Sequence, residues 1–269
     1  MKIFNDRIFT NEFQEEAAKS FQGAEPFPNM YIDDLLDEEF CKTLYDNFPT
    51  AEQMRRHYEG LNEKKSEGSN FDQYHESFTQ LREALAQKEF VEVLEKITGI
   101  DGLILPDDHR GTGVHQGTDG SFLDIHVDFS IHPVLNLHRR LNLLIFFNKE
   151  WKDEYGGALE LWDEKVKNLG AEIYPHYNRG AMFATSEISW HGYDQINLPE
   201  GMKRNSFFTY YYTPISEENP VKYHDTIFKT RPNESKAKAV KTAAKESTKN
   251  FIKGAMRKLG MNKIFDKIE

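Results

Sequence analysis

The residues best suited to chemistry form a short triplet, His126-Val127-Asp128, inside an apolar run from Phe122 to Phe129. In a strand, side chains two apart share a face. An imidazole and a carboxylate placed so can take neighbouring positions around one metal ion, while Val127 turns into the core. His191, in Ser189-Trp190-His191-Gly192 just after another strand-like run, is the natural third ligand. Two histidines and one carboxylate occupy one face of a metal and leave positions open, which suits non-haem Fe(II) and oxygen chemistry. The triplet alone is a weak signal, because ten histidines are spread over 269 residues. His109, His115, His132, His138 and His176 have no carboxylate two residues on and read as surface or packing residues, with His115 and His138 able to lie near the site.

A second pair sharpens the signal. Arg204 follows His191 by 13 residues and opens a strand-like run, with Ser206 two further on. The same alternation puts both on one face. A guanidinium fork grips a carboxylate through two hydrogen bonds, and a neighbouring hydroxyl adds a third. The plain alternative is a surface arginine at a strand start. Arg139 and Arg140 alternate in facing, so at most one is expected to point inward, where it could meet an anionic group.

These residues need a scaffold of short strands. From Leu103 to Tyr212 apolar or alternating runs, such as 141–147, 158–162, 180–184 and 206–212, are separated by Gly, Asn, Asp and Pro, which predicts a β-barrel or sandwich rather than βαβ units. Residues 1–100 read as a mostly helical region packing on that core. Helices are expected from Asp33 to Phe48 and from Glu76 to Ile97, the second ended by Gly99, with a polar mobile loop from Glu59 to Gln73 between them, of which Asn62–Gln73 would frame the site entrance. The core is placed at residues 101–228. From Lys229 to Glu269 there are 12 Lys and Arg against 4 Asp and Glu, a net of +8, while the rest of the chain carries 22 against 40, a net of −18. That segment, 229–269, reads as a basic helical tail. Val240, Ala244, Phe251, Ala255 and Leu259 form its apolar stripe, and the charged face is expected outward, over the acidic domain or toward an acidic partner or an anionic membrane surface.

Composition excludes several classes. A net charge of −10 argues against general nucleic-acid binding. One cysteine, Cys41, allows no internal disulfide, so a reducing cytoplasm is the expected location. No stretch approaches the roughly 18 apolar residues of a membrane span, and no glycine-rich nucleotide-binding pattern is present.

Taken in order, the motifs resemble the 2-oxoglutarate/Fe(II)-dependent dioxygenase superfamily in its prolyl 4-hydroxylase-like branch. The matching text is His126-x-Asp128, Arg139 to Leu144, Tyr155-Gly156-Gly157-x-Leu159 to Trp162, Phe183-x-Thr185, His191-Gly192 and Arg204-x-Ser206, with Pro26-Phe27-Pro28-Asn29 upstream. The resemblance implies a mainly β fold with flanking helices (α+β), its core a double-stranded β-helix, or jelly roll, of about eight strands. It implies His126, Asp128 and His191 as ligands to Fe(II), 2-oxoglutarate as co-substrate with its far carboxylate on Arg204 and Ser206, and O2 as oxidant. Asn142 and Gln116 are further candidates for co-substrate contact. The implied activity is a hydroxylase reaction coupled to oxidative decarboxylation of 2-oxoglutarate. Prolyl peptides, amino acids and other polar metabolites remain open as substrates. The competing reading is a non-catalytic β-barrel binding or sensing module, which would be expected to have lost at least one of His126, Asp128, His191 and Arg204.

Overall fold

The computed structural model describes residues 2–108, 110–216 and 220–258. Helix α1 (Asn11–Gln22) leads to β1 (Asn29–Ile32) and α2 (Glu38–Asp46). The hairpin β2 (Arg56–Glu59) and β3 (Glu63–Gly68) precedes α3 (Glu76–Ala86) and α4 (Lys88–Thr98). Then come β4 (Thr112–Gly117), β5 (Phe122–Val127), β6 (Leu137–Phe146), β7 (Leu159–Trp162), β8 (Leu169–Ile173), β9 (Arg179–Ala184), β10 (His191–Tyr193) and β11 (Arg204–Pro214). The short β12 (Ile227–Phe228) and helix α5 (Lys236–Lys258) follow.

The strands form two antiparallel layers, β1-β9-β6-β11-β4 and β5-β10-β7-β8. Strand β3 pairs with both β4 and β5 and closes one seam between the layers. This is the expected jelly roll with helices against it. Strand β6 shows why the layers stack. Leu141, Leu143 and Ile145 join the helical residues in one core, while Phe146 packs inside the barrel with Phe183, Leu159 and Leu161. Both faces of the strand are therefore buried, which is why its apolar run is nearly continuous.

Three expectations change. The helix read from Glu76 to Ile97 is two helices, broken at Gln87 in an extended conformation. Each half serves a different neighbour: Tyr211 donates to the Leu85 carbonyl, while Phe90 stacks on Phe4 with ring centres 4.3 Å apart. Gly99 does end α4, at φ +70°. The segment Asn62–Gln73 is not a mobile loop but contains β3, with Asn62 and Phe71 buried. Its residues Glu63, Lys65 and Glu67 alternate in sign, with Lys65 3.7 Å from Glu63 and 3.3 Å from Glu67, so polar residues here make a barrel strand.

The third change concerns the tail, whose polar face rather than its apolar stripe meets the barrel. Strand β12 pairs with β5, Ile227 opposite Val127 and Phe228 opposite His126. In α5, Thr242 and Glu246 are buried while Val240 is 69% exposed. Lys238 Nζ reaches Asp124 at 2.9 Å, and Thr242 accepts from Asn62. An acidic patch on the barrel selects the basic face. Phe251, Ala255 and Leu259 of the stripe, and His109, lie outside the described side chains. No helix among the described residues is long and apolar enough to cross a membrane.

Arg231 anchors this arrangement. It is buried, donating from Nε and Nη2 to Glu160 (3.0 and 2.8 Å) and from Nη1 to Asp124 (3.3 Å), so it clamps β7 and β5 on either side of β10. Breaking a buried pair by removing one partner costs about 3–5 kcal/mol. Arg231→Ala is therefore expected to lower the melting temperature by on the order of 10 °C. A melting curve that matches wild type would show that the clamp carries no stability. For the same reason, removing Lys229–Glu269 is expected to destabilise the barrel.

Candidate active site

Strands β5 and β10 lie side by side with His191 directly opposite His126. That register, together with Asp128 just beyond β5, brings ligand atoms of all three residues within 4.8 Å of one another. His126 Nε2 is 3.6 Å from Asp128 Oδ1, and His191 Nε2 is 3.3 Å from Oδ2. The other ring nitrogens fix the tautomers. His126 Nδ1 is 2.9 Å from the Asp124 carbonyl, and His191 Nδ1 is 2.9 Å from the Ser189 carbonyl. A carbonyl only accepts, so each Nδ1 donates, and in the neutral ring each Nε2 presents a lone pair. Burial lowers the pKa of His126, with the neighbouring His191 adding to the effect, which favours the neutral ring. Two lone pairs and a carboxylate converging in a buried site repel unless a cation lies between them. The donor set fits Fe(II).

Burial alone would raise the carboxyl pKa of Asp128, but Arg139 and the two imidazoles outweigh it and hold it well below the usual range. Arg139 Nη2 and Asn142 Nδ2 both donate to Oδ2 at 2.8 Å, and Arg139 Nε donates to Asn142 Oδ1. A bulge explains how residues three apart share a face. Tyr211 faces Leu141 while Tyr212 faces Arg139, so Arg140 is the extra residue and the alternation resets there. Both arginines consequently line the cavity beside Asp128, where strict alternation allowed one.

Arg204 lies on β11, with Ser206 on the same face. Its guanidinium is buried between Tyr193 (4.3 Å) and Phe146 (5.1 Å), and Nε donates to the Gly157 carbonyl at 2.8 Å. No carboxylate pairs with it among the described residues, and burial brings its pKa down to about 10. Ser206 Oγ is fully buried and has no hydrogen-bond partner. Gly157 makes the close approach possible. Its φ is +69°, and a Cβ would sit 3.2 Å from Arg204 Cδ and 2.5 Å from Ile196.

Gln116 is not brought to this face. Its amide donates to the Pro49 carbonyl and to Asn205. The neighbouring His115 is the inward residue, stacked on Phe208 and 3.1 Å from Glu67, which in turn pairs with Lys65 at 3.3 Å. Burial first, then Lys65, pushes His115 down to about 4. The Lys65–Glu67–His115 network was not found from sequence; the alternating Glu63, Lys65, Glu67 was its one signal.

The fold and the buried His-Asp-His cluster define a non-haem metal site in a double-stranded β-helix. Residues 112–212 match the family model described as the 2OG-Fe(II) oxygenase superfamily. The three residues that could hold a metal ion, His126, Asp128 and His191, all lie within the matched segment. No curated protein matches the chain. Among solved structures, a Pseudomonas putida prolyl-4-hydroxylase is similar over 74% of this chain and 99% of its own, at 14% identity and TM-score 0.51. An oxidoreductase of the 2OG-Fe(II) oxygenase family from Burkholderia pseudomallei gives 12% identity and TM-score 0.52 over 74% and 89% of the two chains. HygX from Streptomyces hygroscopicus, solved with nickel and 2-oxoglutarate, gives 11% and 0.50 over 80% and 96%. These likenesses speak for the fold.

Proposed function

We propose that the protein is a hydroxylase in which His126 Nε2, Asp128 and His191 Nε2 hold Fe(II), and Arg204 with Ser206 holds the far carboxylate of 2-oxoglutarate. One observation carries this reading: a metal-ready cluster and an unpaired buried guanidinium occur in one barrel, each lacking the partner the other's ligand would supply. Held by these residues, Fe(II) and 2-oxoglutarate would supply the chemistry that couples O2 and loss of CO2 from 2-oxoglutarate, giving succinate, to conversion of a substrate C–H to C–OH. The chain's own residues position and shield. Arg139 and Asn142 keep Asp128 ionised and aimed at the metal. The carbonyls of Asp124 and Ser189 accept from the two Nδ1 atoms, so that in the neutral rings the Nε2 lone pairs face the metal position. Tyr193 and Phe146 exclude water around Arg204, which strengthens its grip on a carboxylate.

Anaerobic addition of Fe(II) and 2-oxoglutarate to metal-free protein is expected to produce a visible absorption band that needs both additions and disappears with a chelator. A protein that binds either component without the band, or binds neither, would refute this assignment.

A further inference from the structure

Beside Asp128 the barrel opens into a cavity of about 370 Å³, a size suited to a small molecule. Its wall is cationic. Arg139, Arg140 and Lys222 line it, and His138 and His224 add two imidazoles. The acids are Asp128, already bound to Arg139, and Glu187, exposed at the rim. Two of the cationic groups are incompletely satisfied. Arg139 is 1% exposed, yet its Nη1 has no hydrogen-bond partner. The half-buried guanidinium of Arg140 makes no hydrogen bond or ion pair among the described residues, and burial lowers its pKa with no carboxylate to offset it. The same crowding appears at His138, pushed down to about 4 by burial, then by Arg140 and His224. A buried or half-buried charge is normally paired. Here the bulge in β6 sends two adjacent arginines into one cavity, and the described residues supply a carboxylate to only one.

Resting on the oxygenase reading above, we infer that the substrate is a small molecule bearing an oxyanion, a carboxylate or a phosphate, gripped by Arg140, with Lys222 lining the same cavity. A guanidinium fork matches either group through paired hydrogen bonds. Anchoring the anion there holds the rest of the molecule in the cavity that reaches Asp128, where a C–H can meet the oxidant. A neutral prolyl residue within a peptide would leave Arg140 unpaired.

The test uses the full chain loaded anaerobically with Fe(II) and 2-oxoglutarate. Matched pairs are added: phosphorylated sugars with their free sugars, and amino acids and N-acyl amino acids with their amides. Perturbation of the visible band reports binding, and succinate release in air reports turnover. Anionic members are expected to act at concentrations at least tenfold lower than their neutral counterparts, and the arm that responds identifies phosphate or carboxylate. In Arg140→Gln the half-saturating concentration of the active member should rise at least tenfold, with Arg140→Lys recovering part of the loss. The unperturbed band is recorded for each variant, so that failed loading is told apart from failed substrate binding. Equal response to charged and neutral partners, response to neutral prolyl peptides alone, silence of every anion, or an Arg140→Gln variant with wild-type dependence overturns the inference. Absence of the band in wild type overturns the oxygenase reading itself.

Discussion

Asp128→Ala is expected to abolish substrate-coupled and uncoupled succinate formation and to leave the protein with little bound iron. Loss of an outer-shell partner of a metal ligand typically costs 10–100-fold in affinity or activity, and Asp128 is argued to be a ligand itself. The substitution has a second consequence that a pure ligand loss would not. Asp128 is the carboxylate paired with Arg139, which is 1% exposed and also holds Asn142. Removing it leaves a buried guanidinium without a counterion, at a cost of about 3–5 kcal/mol. The metal-free variant should therefore melt below metal-free wild type. Adding Arg139→Met, which removes the orphaned charge while keeping its packing between Phe129 and Tyr210, should restore much of the melting temperature and none of the activity. Full iron occupancy with normal turnover in Asp128→Ala would remove Asp128 from the metal site. An unchanged melting temperature would instead show that the Arg139 pair contributes nothing to stability.

What could be read from the sequence follows physical lines. The period-two arguments placed His126 with Asp128 and Arg204 with Ser206, because strand alternation is local and needs no knowledge of neighbours. The pairing of His191 opposite His126 is a register between strands 65 residues apart in sequence, and only motif order hinted at it. Local alternation failed at Arg139 and Arg140 because a bulge on β6 resets the facing, and a bulge depends on the partner strand β11. Gln116, offered by the resemblance and not by alternation, bonds to Pro49 and Asn205. The residue facing the barrel interior is its neighbour His115, which a reading by side-chain type alone does not distinguish. Strand β3 was missed because one of its faces is Glu63, Lys65 and Glu67, and a search for apolar periodicity passes over a face made of ion pairs. The tail was misjudged likewise: Val240 looked like a docking stripe, but the barrel offers Asp124 and Glu160, and these select Lys238 and Arg231.

Arg204→Met should separate function from stability in the opposite sense to Asp128→Ala. In the ligand-free protein, Arg204 has a hydrogen bond to Gly157 and two aromatic neighbours but no carboxylate. A hydrogen bond from a charged donor contributes about 1.5–3 kcal/mol, and a desolvated cation over an aromatic ring about 2. Against these stands the burial of a charge, an effective penalty of several kcal/mol, whose sign is visible in the pKa brought down to about 10. The terms nearly cancel, and an apolar side chain of similar length removes the penalty while retaining the packing. The ligand-free variant should therefore melt at or above the wild-type temperature. Binding changes the balance. A carboxylate arriving at a buried guanidinium neutralises it and satisfies Ser206 Oγ, which otherwise has no partner. Losing one partner of such a buried pair costs about 2–5 kcal/mol, roughly a 30- to 4000-fold weakening of 2-oxoglutarate binding. Because a ligand that binds only the native state stabilises it by about 2.7 kcal/mol at 100 times its Kd, 2-oxoglutarate should raise the melting temperature of wild type several degrees and leave Arg204→Met unmoved. Iron binding, titrated separately, should change much less, since Arg204 bonds to none of the three ligand side chains. If 2-oxoglutarate affinity survives the substitution, its far carboxylate is held elsewhere, and Lys65, which is paired with Glu63 and Glu67, becomes the next residue to replace.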